Sequence, residues 1–220
     1  MRNKSLFLFD IDGTIFQSDG AGRRAMVQSV FSETGIKIEL SVIDVAGKTD
    51  AGIFQQIIQK LNRIENQAIL MEKLMRTYLE ILKQELSKRP GRILEGTSPF
   101  ITNLKERGDC VGILTGNVFE GAKIKLGSFH DHFEFGAYGD VETNRNNLFS
   151  IAHAHYIEKY EDHPKKIWII GDTPGDIACA RAAGVSVIGV ATGPFSKGDL
   201  AEADIVLNDL ACWPDIRHVL

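Results

Sequence analysis

The chain has 220 residues, of which 44% are hydrophobic, enough for one large domain or two unequal ones around a substantial core. Its net charge of −4 offers no basic surface for nucleic acid or an anionic membrane, and no stretch approaches the length of a membrane span. The three cysteines lack CxxC spacing, which favours reduced thiols in a cytoplasmic protein.

Five short apolar runs along the chain predict β-strands, and a sixth run is weaker. They span residues 4–10, 110–115, 134–138, 167–171, 185–190 and, for the weaker run, 204–207. Continuous apolar character is typical of parallel strands that are covered on both faces. Helical patterns lie between them at 98–107, with Ser98 as the N-cap, and at 176–183. This alternation predicts an α/β protein with a doubly wound parallel sheet.

Residues 17–90 interrupt that alternation. Between Ile53 and Leu86, apolar side chains recur at helical spacing and no strand-like run appears among them. The breaker pair Pro90-Gly91 closes the segment. We therefore predict a helical domain, residues 17–90, inserted into an α/β core made of residues 1–16 and 91–220.

Acidic residues stand where two of the predicted strands end. Asp10 and Asp12 lie two residues apart at the end of the first strand, so both carboxylates can face one site. Asp172 leaves a later strand, and Asp176 follows it near the start of a helix. Ligands bind at the carboxyl ends of the strands in an open parallel sheet, so we expect these acids to meet there.

A cluster of carboxylates needs a cation to neutralise it. Oxygen ligands without His or Cys suit a hard cation, and we predict Mg²⁺. Thr115, Gly116 and Asn117 follow another strand and bring hydrogen-bond donors for an anion. With a basic residue between these motifs, for which Arg145 is the candidate, the set matches phosphoryl transfer, which depends on positioning and on spreading negative charge.

These motifs, taken in order, resemble those of a known family. The stretch from Asp10 to Thr14, Thr115 after an apolar strand, and Gly171-Asp172 with Asp176 are similar to the haloacid dehalogenase-like (HAD) superfamily of phosphohydrolases. The resemblance covers nearly the whole chain. It implies a HAD-like Rossmannoid core in which the inserted helical domain is a cap that sets substrate choice.

The resemblance also implies a role for each acid at a matching position. Asp10 would attack phosphorus and form an aspartyl-phosphate, and Asp12 would protonate the leaving group and later activate water. Mg²⁺ would be held by Asp10, by Asp12 through its backbone carbonyl, and by Asp172. Asp176 would orient that metal shell or bind a metal-bound water.

The phosphoryl group would be bound by Thr115, Gly116 and Asn117. The family usually supplies a further charge from a Lys between the second and third motifs, but residues 139–148 contain no Lys. We favour Arg145 for this catalytic and phosphate-binding charge, since a guanidinium is a fixed positive charge at about the right position.

Three lysines leave alternatives open. Lys123 or Lys125 would reach the site in place of Arg145, although their spacing suits a surface helix better. Lys48, in the run from Gly47 to Asp50, resembles a residue of a substrate-facing cap loop and would meet a second anionic group, unless it is an ordinary exposed lysine.

The predicted function is a cytoplasmic, Mg²⁺-dependent phosphatase of a small phosphorylated metabolite, resembling the phosphoglycolate phosphatase branch of the family. It would act as a monomer or homodimer without nucleic-acid or membrane partners. The acid at Asp12 favours phosphoester hydrolysis, because family members that displace halide lack it. Alternatives are a phosphosugar mutase of the same fold, a phosphonate-cleaving enzyme that uses Lys48, and a non-catalytic phosphate-binding regulatory protein.

Overall fold

Strands and helices alternate through most of the protein, which a computed structural model describes for residues 4–39, 45, 47–61 and 66–220. The strands are β1 (Leu6–Phe9), β2 (Phe16–Gln17), β3 (Arg92–Ile93), β4 (Cys110–Leu114), β5 (Gly136–Ala137), β6 (Ile167–Gly171), β7 (Ser186–Val190) and β8 (Ile205–Leu207). The helices are α1 (Ala21–Thr34), α2 (Asp50–Leu61), α3 (Gln67–Lys88), α4 (Thr97–Glu106), α5 (Phe119–Leu126), α6 (Arg145–Tyr160) and α7 (Pro174–Ala183).

Six parallel strands form the main sheet, in the order β5-β4-β1-β6-β7-β8. β1 lies between β4 and β6, where Leu6 is in register with Cys110 on one side and with Ile167 on the other. All four side chains of β1 are buried, as its continuous apolar run predicts. The predicted α/β class with a parallel sheet is confirmed.

The two faces of β1 contribute to two different hydrophobic clusters, because successive side chains of a strand point to opposite sides. Phe7 and Phe9 belong to a cluster that includes residues of α4. Leu6 and Leu8 belong to a second cluster that includes residues of α6 and α7. Helices therefore cover both faces of the sheet, and its strand ends are the edge at which polar residues can gather.

Helices α1, α2 and α3 share a third hydrophobic cluster, to which Val118 from the α/β part also contributes. Two of these helices account for the predicted helical spacing between Ile53 and Leu86; residues 62–65 of that run lie outside the described residues. The division into a core and an inserted cap domain stays a prediction. Among the described helices, none has the length and apolar character that would let it cross a membrane.

Two local features differ from the sequence-based expectation. The short antiparallel pair β2–β3, which joins Phe16 to Ile93, was not predicted, since two-residue strands carry no recognisable periodicity. Helix α4 begins at Thr97 after an N-cap at Gly96, so the prediction of Ser98 as the N-cap is wrong. Its proline falls in the first turn, where a missing N–H leaves no helical hydrogen bond unmade.

Candidate active site

Three neighbouring strands deliver polar residues to one edge of the sheet. Asp10 follows β1, Thr115 follows β4 and Asp172 follows β6, and these strands are adjacent with β1 in the middle. The backbone N–H of Asp10 donates to the carbonyl of Ile170 at 2.9 Å, so the strand-like geometry continues as far as the first acid. Residues more than a hundred positions apart thus meet because their strands pair.

Three carboxylates cluster at this edge. Oxygen atoms of Asp10, Asp172 and Asp176 all lie within 4.8 Å of one another, and the three side chains are buried. Thr14 donates a hydrogen bond from Oγ1 to Asp172 at 3.2 Å. Three of the four acids named by the sequence motifs are therefore close enough to share one ligand.

The carboxylate of Asp172 is enclosed by two glycines. A Cβ atom added at Gly13 would lie 2.3 Å from Asp172 Oδ2, and one added at Gly193 would lie 1.7 Å from the same oxygen. Gly13 also has a backbone φ of 77°, a value that residues other than glycine rarely adopt. Both positions therefore exclude a side chain, and the backbone approaches the acid closely from two sides.

Burial and mutual repulsion make these acids hard to ionise. Burial raises the pKa of Asp10 to about 6, with Asp176 and Asp12 adding to the rise and Arg145 opposing it. Burial, together with the charges of Asp10 and Asp176, raises the pKa of Asp172 to about 9. Such a cluster is electrostatically incomplete without a further cation, since one guanidinium does not offset its negative charges.

The residues present fit a hard divalent cation. All candidate ligands are oxygens, and the buried Asp10 Oδ1 has no well-aligned hydrogen bond from the described residues, although Arg145 Nη2 lies 3.1 Å away. Asp176 is differently engaged, because Oδ2 accepts from the Thr173 backbone N–H at 3.1 Å and from its hydroxyl at 2.6 Å. Its other oxygen, Oδ1, pairs with Arg145. Both oxygens of Asp176 are therefore engaged by neighbouring protein groups, Thr173 and Arg145.

Arg145 is the cation that contacts the carboxylate cluster directly. It is the first residue of α6, whose N-cap is Asn144, and its side chain is buried. Nη2 lies 3.1 Å from Asp10 Oδ1 and also pairs with Asp176 Oδ1. The structure thus brings Arg145 to the acids, and its role in the usual lysine position stays a prediction.

Lys125, which the sequence analysis ranked below Arg145, also lies in the site but meets a different acid. Its Nζ is 2.5 Å from Asp12 Oδ2, and its side chain is only 4% exposed. Lys123 instead lies on the surface, where its Nζ is 3.8 Å from Glu120 Oε1. The spacing of α5 gave no means of separating the two lysines, because only packing decides which face of a short helix is covered.

Thr115, Gly116 and Asn117 are brought together with the acids. The Thr115 hydroxyl forms a hydrogen bond that acts to lower the pKa of Asp10, and it accepts from Asn117 Nδ2 at 2.9 Å. Asn117 Nδ2 also donates to Asp12 Oδ2 at 2.8 Å, and its Oδ1 accepts from Lys125. The Asn117 side chain is therefore committed to its neighbours, and its predicted contact with phosphate stays a prediction.

A cavity of about 520 Å³ opens over these residues. Lys48 lines it, and its Nζ is 3.4 Å from Gln56 Oε1. The lining also includes residues that the sequence analysis did not single out, namely Asp50, Tyr78, Thr192 and Gly193. Thr192 and Gly193 follow the predicted strand at 185–190 after one intervening residue, so the strand-end rule could have found them. Tyr78 belongs to the helical run between Ile53 and Leu86, whose spacing alone does not mark it as a site residue.

Asp50 is the most unexpected of these residues, because it is a buried acid in the lining of the cavity. Its Oδ2 accepts from the Val118 N–H at 3.1 Å and from the Tyr78 hydroxyl at 3.4 Å, and its own N–H donates to the Gly116 carbonyl at 2.7 Å. Burial raises its pKa to about 6, against the opposing charge of Lys125. Through its hydrogen bonds to Gly116 and Val118, Asp50 ties α2 to the loop that carries Gly116.

Comparison with known proteins gives a consistent family. The family model described as haloacid dehalogenase-like hydrolase matches residues 7–190. The curated protein "Putative pyrophosphatase PpaX" from Caldanaerobacter subterraneus subsp. tengcongensis is 25% identical over 209 residues, which cover 92% of this chain and 90% of the relative.

Solved structures share the fold over nearly the full length. CbbY from Rhodobacter sphaeroides in complex with phosphate is 18% identical, with a TM-score of 0.72 and 94% of each chain covered. A "predicted phosphoglycolate phosphatase" from Haemophilus somnus 129pt is also 18% identical, with a TM-score of 0.73 and coverage of 98% of this chain and 99% of that one. At this identity the two likenesses establish a common fold.

Proposed function

The chain belongs to the haloacid dehalogenase-like hydrolases, and from that membership we propose that it is a divalent-metal-dependent phosphatase of a small phosphorylated metabolite. The observation that carries the proposal is the buried carboxylate of Asp10, which shares a cluster with Asp172 and lies 3.1 Å from the guanidinium of Arg145. A nucleophilic carboxylate between a cation site and a fixed positive charge suits phosphoryl transfer through a covalent aspartyl-phosphate.

In the proposed reaction, Asp10 attacks the phosphorus atom and the bond to the leaving oxygen breaks, which gives an aspartyl-phosphate. Asp12 donates a proton to that oxygen and then takes one from the water that hydrolyses the intermediate. The Thr115 hydroxyl and the Gly116 N–H hold phosphoryl oxygens. Arg145 stabilises the negative charge that spreads over them in the transition state.

Asp10, Asp172 and the backbone carbonyl of Asp12 are the residues proposed to hold the metal, for which Mg²⁺ fits the all-oxygen set. When bound, a divalent cation offsets the negative charge of the acids and of the phosphoryl group. Oδ2 of the Asp12 carboxylate contacts Lys125 and Asn117. We therefore assign proton transfer to the other carboxylate oxygen. Asp176 is proposed to support the site through its contacts with Arg145 and Thr173.

We expect Mg²⁺ to stabilise the protein more at about pH 8 than at about pH 5. The pKa of Asp10 is raised from 3.8 to about 6 and that of Asp172 from 3.8 to about 9. A raised carboxyl pKa means that the metal-free folded state is favoured by protonation. The stability from that source is fully present below 3.8 and is lost as the pH rises through the folded-state values.

Mg²⁺ binds ionised carboxylates. It should therefore restore the most stability at high pH, where the metal-free protein has lost the most. The measurement is the thermal unfolding midpoint with EDTA and with MgCl₂ at both pH values. In Asp172→Asn the Mg²⁺-dependent shift should largely disappear. An equal Mg²⁺ shift at both pH values would contradict the assignment of these acids as ligands.

The substrate class is tested by a screen of phosphorylated metabolites. The cavity is of a size for a small molecule, and the Lys48 side chain in its lining is proposed to meet a second anionic group. The screen should contain phosphoglycolate and sugar phosphates, together with pyrophosphate, which the name of the curated relative makes a second candidate. p-Nitrophenyl phosphate serves as the general probe.

We expect phosphate release with Mg²⁺ and loss of release with EDTA, restored when Mg²⁺ is added in excess. A mutase would give little net phosphate and would instead form an isomeric phosphosugar, which product analysis detects. Absence of Mg²⁺-dependent release from every ester and from pyrophosphate would favour a non-catalytic phosphate-binding role. The same screen therefore separates the three proposals.

A further inference from the structure

We propose that Lys125 is a positioning residue that holds Asp12 for proton transfer, separate from Arg145, which holds Asp10; this inference rests on the proposed phosphatase function. Two of the cations at the site then have divided tasks. One is paired with the proposed nucleophile and the other with the proposed acid and base.

The contacts of Asp12 carry this division. Its Oδ2 receives Lys125 Nζ at 2.5 Å and Asn117 Nδ2 at 2.8 Å. Among the described residues, none donates a hydrogen bond to Oδ1, and the Asp12 side chain is 42% exposed at the cavity. Two donors on one oxygen fix the rotation of the carboxylate, so that the other oxygen is left for a ligand.

Lys125 is itself held from several directions. Its Nζ also donates to Asn117 Oδ1, which closes a triangle of Lys125, Asn117 and Asp12. The Lys125 side chain is buried, so water does not compete for these contacts. A buried ammonium with fixed partners is suited to set a geometry.

A second acid, Asp50, anchors the helix that carries Lys125. Asp50 Oδ2 accepts the N–H of Val118, the N-cap residue of α5, and it accepts the Tyr78 hydroxyl as well. α2 and α3 therefore fix α5 at its start, while Asp12 and Asn117 fix its lysine one residue before its end. The position of Lys125 follows from this packing rather than from a solvated side chain reaching inward.

The test compares two leaving groups, because only one of them needs the proton that Asp12 supplies. p-Nitrophenolate leaves readily without protonation, whereas the alkoxide of an alkyl phosphate does not. We expect Lys125→Met to lower kcat/KM by about 10²-fold for the best alkyl phosphate of the screen, the loss that a small misplacement can cause. For p-nitrophenyl phosphate, kcat/KM should fall by less than about 5-fold.

Matched variants separate positioning from general damage. Lys123→Met removes an exposed lysine of the same helix and should leave both substrates at the wild-type rate. Lys125→Arg should restore part of the loss with the alkyl phosphate, because it keeps a cation next to Asp12. If Lys125→Met does not fold, as judged by circular dichroism, Lys125→Gln replaces it, since a glutamine keeps a hydrogen bond without the charge.

The decisive arm is the double variant. In an Asp12→Asn background, Lys125→Met should change the residual kcat/KM by less than about 3-fold, because a residue that acts through Asp12 has nothing left to position. Equal losses for both leaving groups, or a full further loss without Asp12, would overturn the inference. A wild-type protein that hydrolyses no phosphate compound overturns the proposed function itself, which is a different result.

Discussion

Asp10→Asn is expected to abolish turnover while the protein stays folded. An amide cannot form the aspartyl-phosphate, and loss of a covalent nucleophile should lower kcat by at least ~10³-fold. Folding should survive because the amide has nearly the same shape and removes one charge from a cluster whose burial already raises the pKa of Asp10 to about 6. The measurement is release of p-nitrophenol with Mg²⁺, together with the unfolding midpoint in EDTA.

A direct readout of the intermediate strengthens this prediction. In the wild-type protein, an acid quench during turnover followed by mass spectrometry should find a phosphoryl group on the peptide that contains Asp10, and the variant should show none. Asp131→Asn is the matched control, since Asp131 is an exposed acid outside the site. Undiminished phosphate release from Asp10→Asn would exclude Asp10 as the nucleophile.

Arg145→Ala is expected to lower both activity and stability. The guanidinium lies 3.1 Å from Asp10 Oδ1 and pairs with Asp176, and all three side chains are buried. Its removal leaves two buried carboxylates without their counter-charge, which costs about 3–5 kcal/mol of unfolding free energy. Activity should fall by roughly 10²–10³-fold, because an oriented charge on the phosphoryl oxygens is lost.

The stability loss is measured by urea unfolding and the activity by kcat with the best substrate of the screen. Arg145→Lys should recover part of both, since a lysine is what the family usually places in this role. Arg181→Ala is the control: Arg181 makes a comparable contact with Asp204 at 2.9 Å, but both side chains are over 40% exposed. Its loss should cost at most about 1 kcal/mol and leave kcat unchanged.

A near-normal rate in Arg145→Ala would move the essential positive charge to Lys125, one of the two lysines that the sequence left open as alternatives. The structure makes this a sharp comparison, because the two cations contact different acids. Arg145 reaches Asp10 and Asp176, whereas Lys125 reaches Asp12. An Arg145 variant should therefore lower the rate with every substrate. A Lys125 variant should lower the rate with those substrates whose leaving group needs a proton.

Local sequence signals were enough for much of the fold and for the family. Continuous apolar runs predicted the strands of the parallel sheet, because a strand buried on both faces must be apolar throughout. The order of the motifs from Asp10 to Asp176 predicted the hydrolase family, and the family match over residues 7–190 confirms it. The strand-end rule also predicted that Asp10, Thr115 and Asp172 would meet, since neighbouring parallel strands end at one edge.

Local signals failed where a few residues depend on distant partners. The β2–β3 pair needs Phe16 and Ile93 to meet, and the start of α4 at Thr97 was misplaced by a Ser-Pro pattern that fits a cap equally well. Asp50 gave no signal of its own, because an acid at the start of a helix is usually solvated. Its burial depends on α3 and α5 packing over it.

The sequence by itself therefore determined which chemical groups this protein presents at the ends of its strands, since those groups directly follow runs that are recognisable locally. Only the tertiary structure decided how the charges pair. Lys125 is 113 residues from Asp12, and Arg145 is 31 residues from Asp176. Such pairs arise when helices pack and exclude water, and the energy of a buried pair depends on that geometry rather than on spacing along the chain.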